Sequence, residues 1–484
     1  MRQMSLRKLA VGLHRWLGIF LCLLFALWFF SGIVMMYWSY PEVTPADRLA
    51  RSEPLDPSTI RVTPADALSI LGESRPPGRI TLEILGHRPA YRFQMGRTPR
   101  IVYADTGEAL GNLSFAGALR IASAWTGQPE SAARFEGSLN DDDQWTVSGA
   151  FRALRPLLRY SWPDGENVYV SAVSGQVEQY TTRSARLASY FGAIPHWLYF
   201  TPLRRHAAAW SRVVIWSSGV ATAAAILGLI VGTWISVPAK RIPYIGMKRW
   251  HTLLGLFFGV IATTWTFSGM LSMDPFPLEG EDENGPAIAS ALRGARLTPG
   301  ALRSMDPRQA LARIGTNLSV KQLELTTFGG EPVWIARESL ERSRLVAVNG
   351  NPVVEFDHQR ILAMVAQAVE PARIAESRLV TRYEAYYLDR QHQLPLPVLF
   401  VRLNDQQASL YYIDPRTAHV VAGYGRGSRW NRWLYHGLHS LDFPWLYRHR
   451  PAWDIVVLLF LAGGSALCVT SVVLATHFLK HKIF

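Results

Sequence analysis

Four apolar runs divide this sequence, and the first and third open on the same histidine motif. A hydrocarbon core of about 30 Å requires about 20 apolar residues in a helix. Only runs 16–38, 210–236, 250–273 and 453–478 offer that length nearly free of charge. His14-Arg15-Trp16-Leu17-Gly18, leading to Phe30-Ser31-Gly32, returns 237 positions later as His251 to Gly255 and Phe267-Ser268-Gly269. Ahead of the second run, Pro195-His196 to Trp210 returns 243 positions later, with His196 on His439, Arg205 on Arg448, His206 on His449 and Trp210 on Trp453. Backbone polar groups in lipid must be satisfied within the segment. The expected fold is therefore a mainly α membrane protein, a four-span helical bundle built from a duplicated two-span half.

The 484 residues are 49% apolar yet 18% charged, too polar for spans alone. The remainder forms two long external segments, 39–209 and 274–452. The first run is longer than a secretory signal core of about 7–15 residues and has no small-residue cleavage site after Tyr40, so it reads as a span. Arg2, Arg7, Lys8 and Arg15, then Lys240, Arg241, Lys248 and Arg249, then Lys480 and Lys482 occupy the short polar segments. Cytoplasmic loops collect such residues, which predicts a cytoplasmic tail at 1–15, a cytoplasmic linker at 237–249, a cytoplasmic tail at 479–484, and long segments on the outer side. Arg204, Arg205, Arg448 and Arg450 beside spans on the outer side run against that pattern.

The formal charge of +13 comes without a basic stripe interleaved with aromatics, so nucleic acid is not an expected partner; the bilayer is. The two cysteines, Cys22 and Cys468, both lie inside spans. They can neither staple the external segments nor attach haem through Cys-x-x-Cys-His.

Within the first external segment, Thr63-Pro64 reads as a capped helix start. Ala90 to Phe93 and Ile101 to Ala104 read as hairpin strands with a turn at Asp105-Thr106-Gly107-Glu108, and a second hairpin is expected at 167–170 and 175–177. At an offset of 243, Gly350 falls on Gly107, and Leu410 to Ile413 fall on the Asn167 strand. Each external segment is thus expected to be a small α+β unit. Two acidic stretches, Ser138 to Gln144 and Leu278 to Gly285, read as solvated loops without calcium-loop register.

The order and repetition of these motifs resemble the PepSY-associated transmembrane family, which includes iron-regulated inner-membrane proteins and siderophore reductases. The resemblance rests on His14/Gly18 and His251/Gly255, the Ser-Gly near the far ends of spans one and three, Pro195-His196-Trp197-Leu198, Trp433 to His439, and the strands at 103–108 and 412–414. It implies a place in the bacterial inner membrane with the long segments periplasmic, two external PepSY-like domains, and iron reduction linked to uptake.

Six of the 13 histidines form three repeat-related pairs. Histidines at membrane depth usually face a partner, a cofactor or a polar cavity. His14, His251, His196 and His439 are the candidate ligands of haem iron, against the simpler reading of interfacial residues among headgroups. His206 and His449 suit a helix-start surface position equally well. His436 has Ala193 as its counterpart and reads as a supporting or substrate-side group. Met36 and Met273, at outer span ends, suit packing or a His/Met site. Bis-imidazole ligation fits b-type haem, held non-covalently, that only carries electrons. Two haems are expected, either one between His14 and His251 and one between His196 and His439, or two side by side with mixed ligands. The expected function is an oxidoreductase taking electrons from a quinone or a cytoplasmic reductant to an external ferric chelate such as a ferric siderophore. The alternative is a non-enzymatic, membrane-anchored PepSY binding or regulatory module. No zinc-protease, nucleophile-elbow or Walker motif occurs.

Overall fold

The computed structural model describes residues 6–73, 77–96, 98–239, 242–276, 282 and 284–483. Arg2, Lys240, Arg241, the side chain of Lys482 and most of the second acidic loop lie outside them. The chain divides into two compact units, one of Met1–Tyr40, Ser184–Glu279 and Gly427–Phe484, the other of Pro41–Arg183 and Gly280–Arg426.

The first unit is built on four long helices, Leu6–Met35, Ala207–Ala239, Gly246–Leu271 and Ala452–Ile483. Each is long and apolar enough to cross a membrane, with stretches of mean hydropathy between 1.5 and 2.5. The first helix starts upstream of the apolar run, because Leu, Arg and Lys are good helix formers and hydropathy marks lipid contact, not helix ends. His14 therefore sits inside a helix and not in a tail, while Met36 and Trp38 fall just beyond it. The first span packs on the second and fourth, and the third span on the same two. Gly232 and Gly259 give the second and third spans a reciprocal close approach. A Cβ on Gly232 would lie 3.0 Å from Leu256 Cδ2, and one on Gly259 would lie 2.9 Å from Leu229 Cδ2. Small residues serve this purpose where no hydrophobic effect drives helices together.

The second unit contains 15 described strands in three antiparallel sheets. Its first segment supplies β1 (Ile80–Leu85), β2 (Arg88–Met95), β3 (Thr98–Tyr103), β4 (Ala109–Leu110), β5 (Arg134–Leu139), β6 (Leu157–Ser161), β7 (Asn167–Ser171) and β8 (Val177–Thr181). The second segment supplies β9 (Gln322–Phe328), β10 (Glu331–Arg337), β11 (Ser343–Ala347), β12 (Ile374–Val380), β13 (Val398–Leu403), β14 (Leu410–Asp414) and β15 (His419–Tyr424). Sheets β5-β6-β7-β8 and β12-β13-β14-β15 each belong to one segment. The third does not. It runs β11-β10-β9-β1-β2-β3-β4, with Thr81 opposite Glu324 and Leu82 opposite Leu323. The expectation of an external domain for each half therefore gives way to a shared sheet, whose core mixes Leu82, Tyr91 and Phe93 with Leu323, Leu325 and Trp334.

Local chemistry sets the short helices. Thr44, Thr63 and Thr298 each precede a proline, and each side chain accepts from the backbone N–H three residues on. That combines an N-cap with a first helical residue that has no N–H to satisfy. The turn at Gly107 links β3 to β4, and Gly107 (φ +80°) and Gly350 (φ +99°), 243 positions apart, both adopt the left-handed backbone, which glycine enters without Cβ strain. The first acidic loop is consumed internally. Asp143 accepts from Trp145 N, Thr146 N and Tyr169 Oη, and Asp142 pairs with Arg155 at 2.8 Å.

Buried charge stitches the shared sheet. Glu324 on β9, 1% exposed, accepts from Arg337 Nη1 and Arg79 Nη2, both at 2.5 Å. On β1, Glu83 accepts from Arg92, from Gln176 at 2.7 Å and from Gln322 of β9 at 3.1 Å. Burial pushes the Glu324 carboxyl up, but the two guanidinium groups overcome it and hold it at about 2. A folded pKa below the unfolded one gives stability that is complete above the ordinary carboxylate range and is lost as pH falls toward 2. Glu324→Gln should cost about 3–5 kcal/mol near neutrality by stranding buried guanidinium charge. It should also flatten the acid limb between the ordinary carboxylate range and about 2, as read by denaturant unfolding of the purified chain at a series of pH values.

Candidate functional site

Within the helical unit, the four favoured histidines meet as two pairs. His14 on the first span and His251 on the third have ring centroids 6.3 Å apart, with planes at 38°. His196 and His439 have centroids 6.0 Å apart, with planes at 69°. The mixed pairing of His14 with His196 does not occur. His196 reaches Ser31, and 17 residues at 1.5 Å each set Ser31 about 25 Å along the helix from His14.

The segments before the second and fourth spans dip into the bundle. His196 lies near the end of the short helix Ala193–Trp197, whose Gly192 backbone approaches Val34 so closely that a Cβ there would lie 3.0 Å from Cγ1. His439 follows a π-helical turn, Arg432–Gly437, a feature often found at functional sites. Two residues after each histidine, Leu198 (φ 53°) and Leu441 (φ 52°) take the left-handed backbone, which costs a branched residue about 1–2 kcal/mol. The intervening carbonyls are tied down by tryptophans at the starts of the next spans: Trp210 Nε1 donates to Trp197 O at 2.8 Å, and Trp453 Nε1 to Ser440 O at 3.1 Å.

The hydrogen bonds of the four rings converge on one protonation state. His14 Nδ1 lies 3.3 Å from Ala224 O. His196 Nδ1 lies 3.2 Å from Trp28 O and 3.0 Å from Ser31 Oγ. His439 Nδ1 lies 3.3 Å from Trp265 O and 3.0 Å from Ser268 Oγ. A carbonyl only accepts, so these three Nδ1 atoms donate. His251 Nδ1 meets two hydroxyls, Thr470 Oγ1 at 3.2 Å and Ser471 Oγ at 3.4 Å. Both already donate to Leu467 O, at 2.7 and 2.9 Å, which leaves them lone pairs with which to accept. Every ring thus carries its proton on Nδ1 and its lone pair on Nε2, the form that binds a metal.

The spacing suits one ion per pair. Metal–imidazole bonds of about 2.0–2.1 Å place two imidazole centroids on opposite sides of an ion roughly 6 Å apart. Among the described residues, no group of three or more His, Cys, Asp and Glu side chains is placed to hold a metal ion. Glycines open the space around the rings. A Cβ on Gly228 would lie 2.6 Å from His14 Cε1, and one on Gly32 or Gly269 would lie 3.7 Å from Cε1 of His196 or His439. Phe29 of the first span and Trp265 of the third meet at a tilt, with centroids 5.6 Å apart and planes at 39°. The Trp265 indole N–H is buried without a hydrogen-bond partner.

The secondary candidates lie elsewhere. His206 and His449 are exposed beside the starts of the second and fourth spans, with His449 Nδ1 bonded to Trp445 O. His436 is exposed and lies tilted against Tyr435, 4.5 Å between centroids, which in turn lies 5.7 Å from His439. Met36 and Met273 are half-buried just past their spans. Two of the four arginines at odds with the charge pattern rest on aromatic faces: Arg204 lies over Tyr199 and Trp210, and Arg450 over Trp453 at 4.5 Å. Sequence reasoning left out the hydrogen-bonding role of Ser31 and Ser268, although their repeated register marked them. It also left out Thr470 and Ser471, whose counterparts in the other half are Leu227 and Gly228.

Gly228→Ala should drive the His14 ring off Ala224 O and lower stability by about 1–3 kcal/mol, as overpacking does. Gly255→Ala, whose nearest contact would be Leu467 Cδ1 at 3.8 Å, should be neutral or stabilising. Thermal unfolding of the two variants in detergent, side by side, checks the difference.

No curated protein matches the chain. The model of the PepSY-associated TM region matches residues 11–476, a range that takes in all four histidines and nearly all of the four long apolar helices. The chain is a multi-pass membrane protein that belongs to the PepSY-associated TM family.

Proposed function

We propose that this protein is a b-type haem oxidoreductase of the bacterial inner membrane, built from a duplicated two-span half and reducing an external ferric chelate, a ferric siderophore by class, so that iron is released for uptake. The observation that carries the reading is the two imidazole couples, with centroids 6.3 and 6.0 Å apart and each ring hydrogen-bonded at Nδ1. Two imidazoles alone leave a metal under-coordinated unless a macrocycle fills its remaining positions, and haem is the group that does so. His14 and His251 would hold one haem and His196 and His439 the other, without covalent attachment. When bound, haem would supply reversible one-electron chemistry.

The protein's own contribution is orientation. Ala224 O, Thr470 and Ser471 fix the rings of one pair, and Ser31, Ser268, Trp28 O and Trp265 O those of the other. These acceptors hold each ring in one tautomer and raise its basicity as a ligand. One electron taken from a quinone or a cytoplasmic reductant converts Fe(III) in the chelate to Fe(II), a softer ion that hard oxygen ligands hold less well. In this reading the termini are cytoplasmic and the long segments periplasmic.

A second reading, a tethered PepSY binding or regulatory module without redox chemistry, draws on a groove of about 660 Å³ beside β10 and β11. Its wall includes Phe328 stacked on Phe356, centroids 4.1 Å apart. It gives no role to the paired histidines.

The two readings separate in the visible spectrum of the purified protein. Under the first, dithionite reduction produces sharp alpha and Soret bands. His251→Ala and His439→Ala should each remove about half of the haem per chain, and the double variant nearly all of it. A colourless wild type, or a quadruple variant at His14, His196, His251 and His439 with an unaltered spectrum, leaves only the binding module.

A further inference from the structure

Within the helical unit, the repeat gives His14 and His251 unequal supports. His14 Nδ1 donates directly to Ala224 O at 3.3 Å. The residue 243 positions after Ala224 is Leu467, and its carbonyl is not what His251 bonds. Thr470 Oγ1 and Ser471 Oγ link the two instead, 3.2 and 3.4 Å from His251 Nδ1 and 2.7 and 2.9 Å from Leu467 O. The corresponding places in the other half hold Leu227 and Gly228. Two hydroxyls have thus been inserted between an imidazole and the carbonyl that its counterpart uses directly.

A hydroxyl in a span ordinarily bonds the carbonyl one turn back, and both of these do. That bond already satisfies each proton, yet both oxygens also reach the ring. Of the four paired rings, His251 is the one whose Nδ1 meets no carbonyl among the described residues. His196 and His439 each meet a carbonyl, at 3.2 and 3.3 Å, and a serine hydroxyl at 3.0 Å. An amide carbonyl is a stronger acceptor than an alcohol, and a stronger acceptor at Nδ1–H makes the imidazole a more basic ligand. A more basic axial ligand favours Fe(III) over Fe(II) and so lowers the reduction potential, hydrogen bonding around haem being one of the protein's levers on it.

Building on the haem reading, we propose that Thr470 and Ser471 are positioning residues that set the haem of His14 and His251 at a higher potential than the haem of His196 and His439, by giving His251 hydroxyl acceptors in place of the Leu467 carbonyl. The two halves of the repeat then supply two unlike electron carriers from like ligands.

The test is redox potentiometry of the full-length protein in detergent, read at the alpha band, with haem content measured on the same samples. Wild type should reduce in two one-electron steps. His439→Ala, which leaves the site of His14 and His251, should retain the higher step, and His251→Ala the lower. Thr470→Val with Ser471→Ala removes both acceptors while the valine keeps the threonine shape. It should raise the higher step by about 59 mV, the equivalent of a tenfold change for one electron, within the range of about 10–100-fold seen when such supporting groups are lost. The lower step should stay in place. Thr470→Ser with Ser471→Thr, which keeps both hydroxyls, should restore the wild-type potential. A haem-loaded Thr470/Ser471 deletion variant with unmoved potentials, a shift of both steps alike, or the lower step belonging to His14 and His251 would each overturn the role given to the two hydroxyls. A wild type without haem would defeat the haem reading as well, so the two failures are told apart by colour.

Discussion

An imidazole N–H inside a bilayer has no water to bond, and that requirement organises the helical unit. Each of the four paired rings must find an acceptor on a span, and each finds one at Nδ1. The acceptors are carbonyls left accessible by the helix and hydroxyls whose own protons are already committed to the helix backbone. Once the Nδ1 proton is placed, the ring is held in one tautomer and orientation, and the two rings of each pair lie about 6 Å apart. The helix crossings, the glycine beside His14 and the dipping segments before the second and fourth spans all serve that placement.

The two pairs reach the same result by different means. On one side of the bundle, His14 bonds a carbonyl directly and Gly228 makes room for the ring. At the positions 243 residues on, Ser471 fills that room, and its hydroxyl and that of Thr470 relay the bond to Leu467 O. The pair of His196 and His439 is more alike in its two halves, with serine, carbonyl, left-handed leucine and tryptophan indole recurring in register. Near-identical supports at one pair and divergent ones at the other give the two pairs different surroundings.

Much of this was legible in the sequence because repetition converts weak motifs into a register. The four histidines stood out by recurring at fixed offsets beside apolar runs, and the four long helices follow from run length. That the first helix already includes Leu6 was not legible, because arginine and lysine end a hydropathy run without ending a helix. Thr470 and Ser471 were hidden because their counterparts, Leu227 and Gly228, are not polar. The shared sheet was hidden for another reason. Pairing between β1 and β9 depends on residues far apart in the chain, and a strand edge carries no local mark of the partner it will take. The charges of Glu83 and of the buried Glu324 were a hint, since charge is seldom placed inside a strand pair without a partner.

That shared sheet imposes an order on how the molecule can be made. β1 to β4 can pair among themselves as soon as they are synthesised, but the β9 side of β1 stays open until the second and third spans have been completed and residues 322–328 emerge. Throughout that interval the nascent protein carries an unpaired strand edge and a half-built apolar layer around Tyr91 and Phe93, the kind of surface that invites pairing with the wrong chain. Biogenesis thus depends on timely insertion of the middle hairpin of spans, and a delay there would expose an aggregation-prone edge even though every segment is sound.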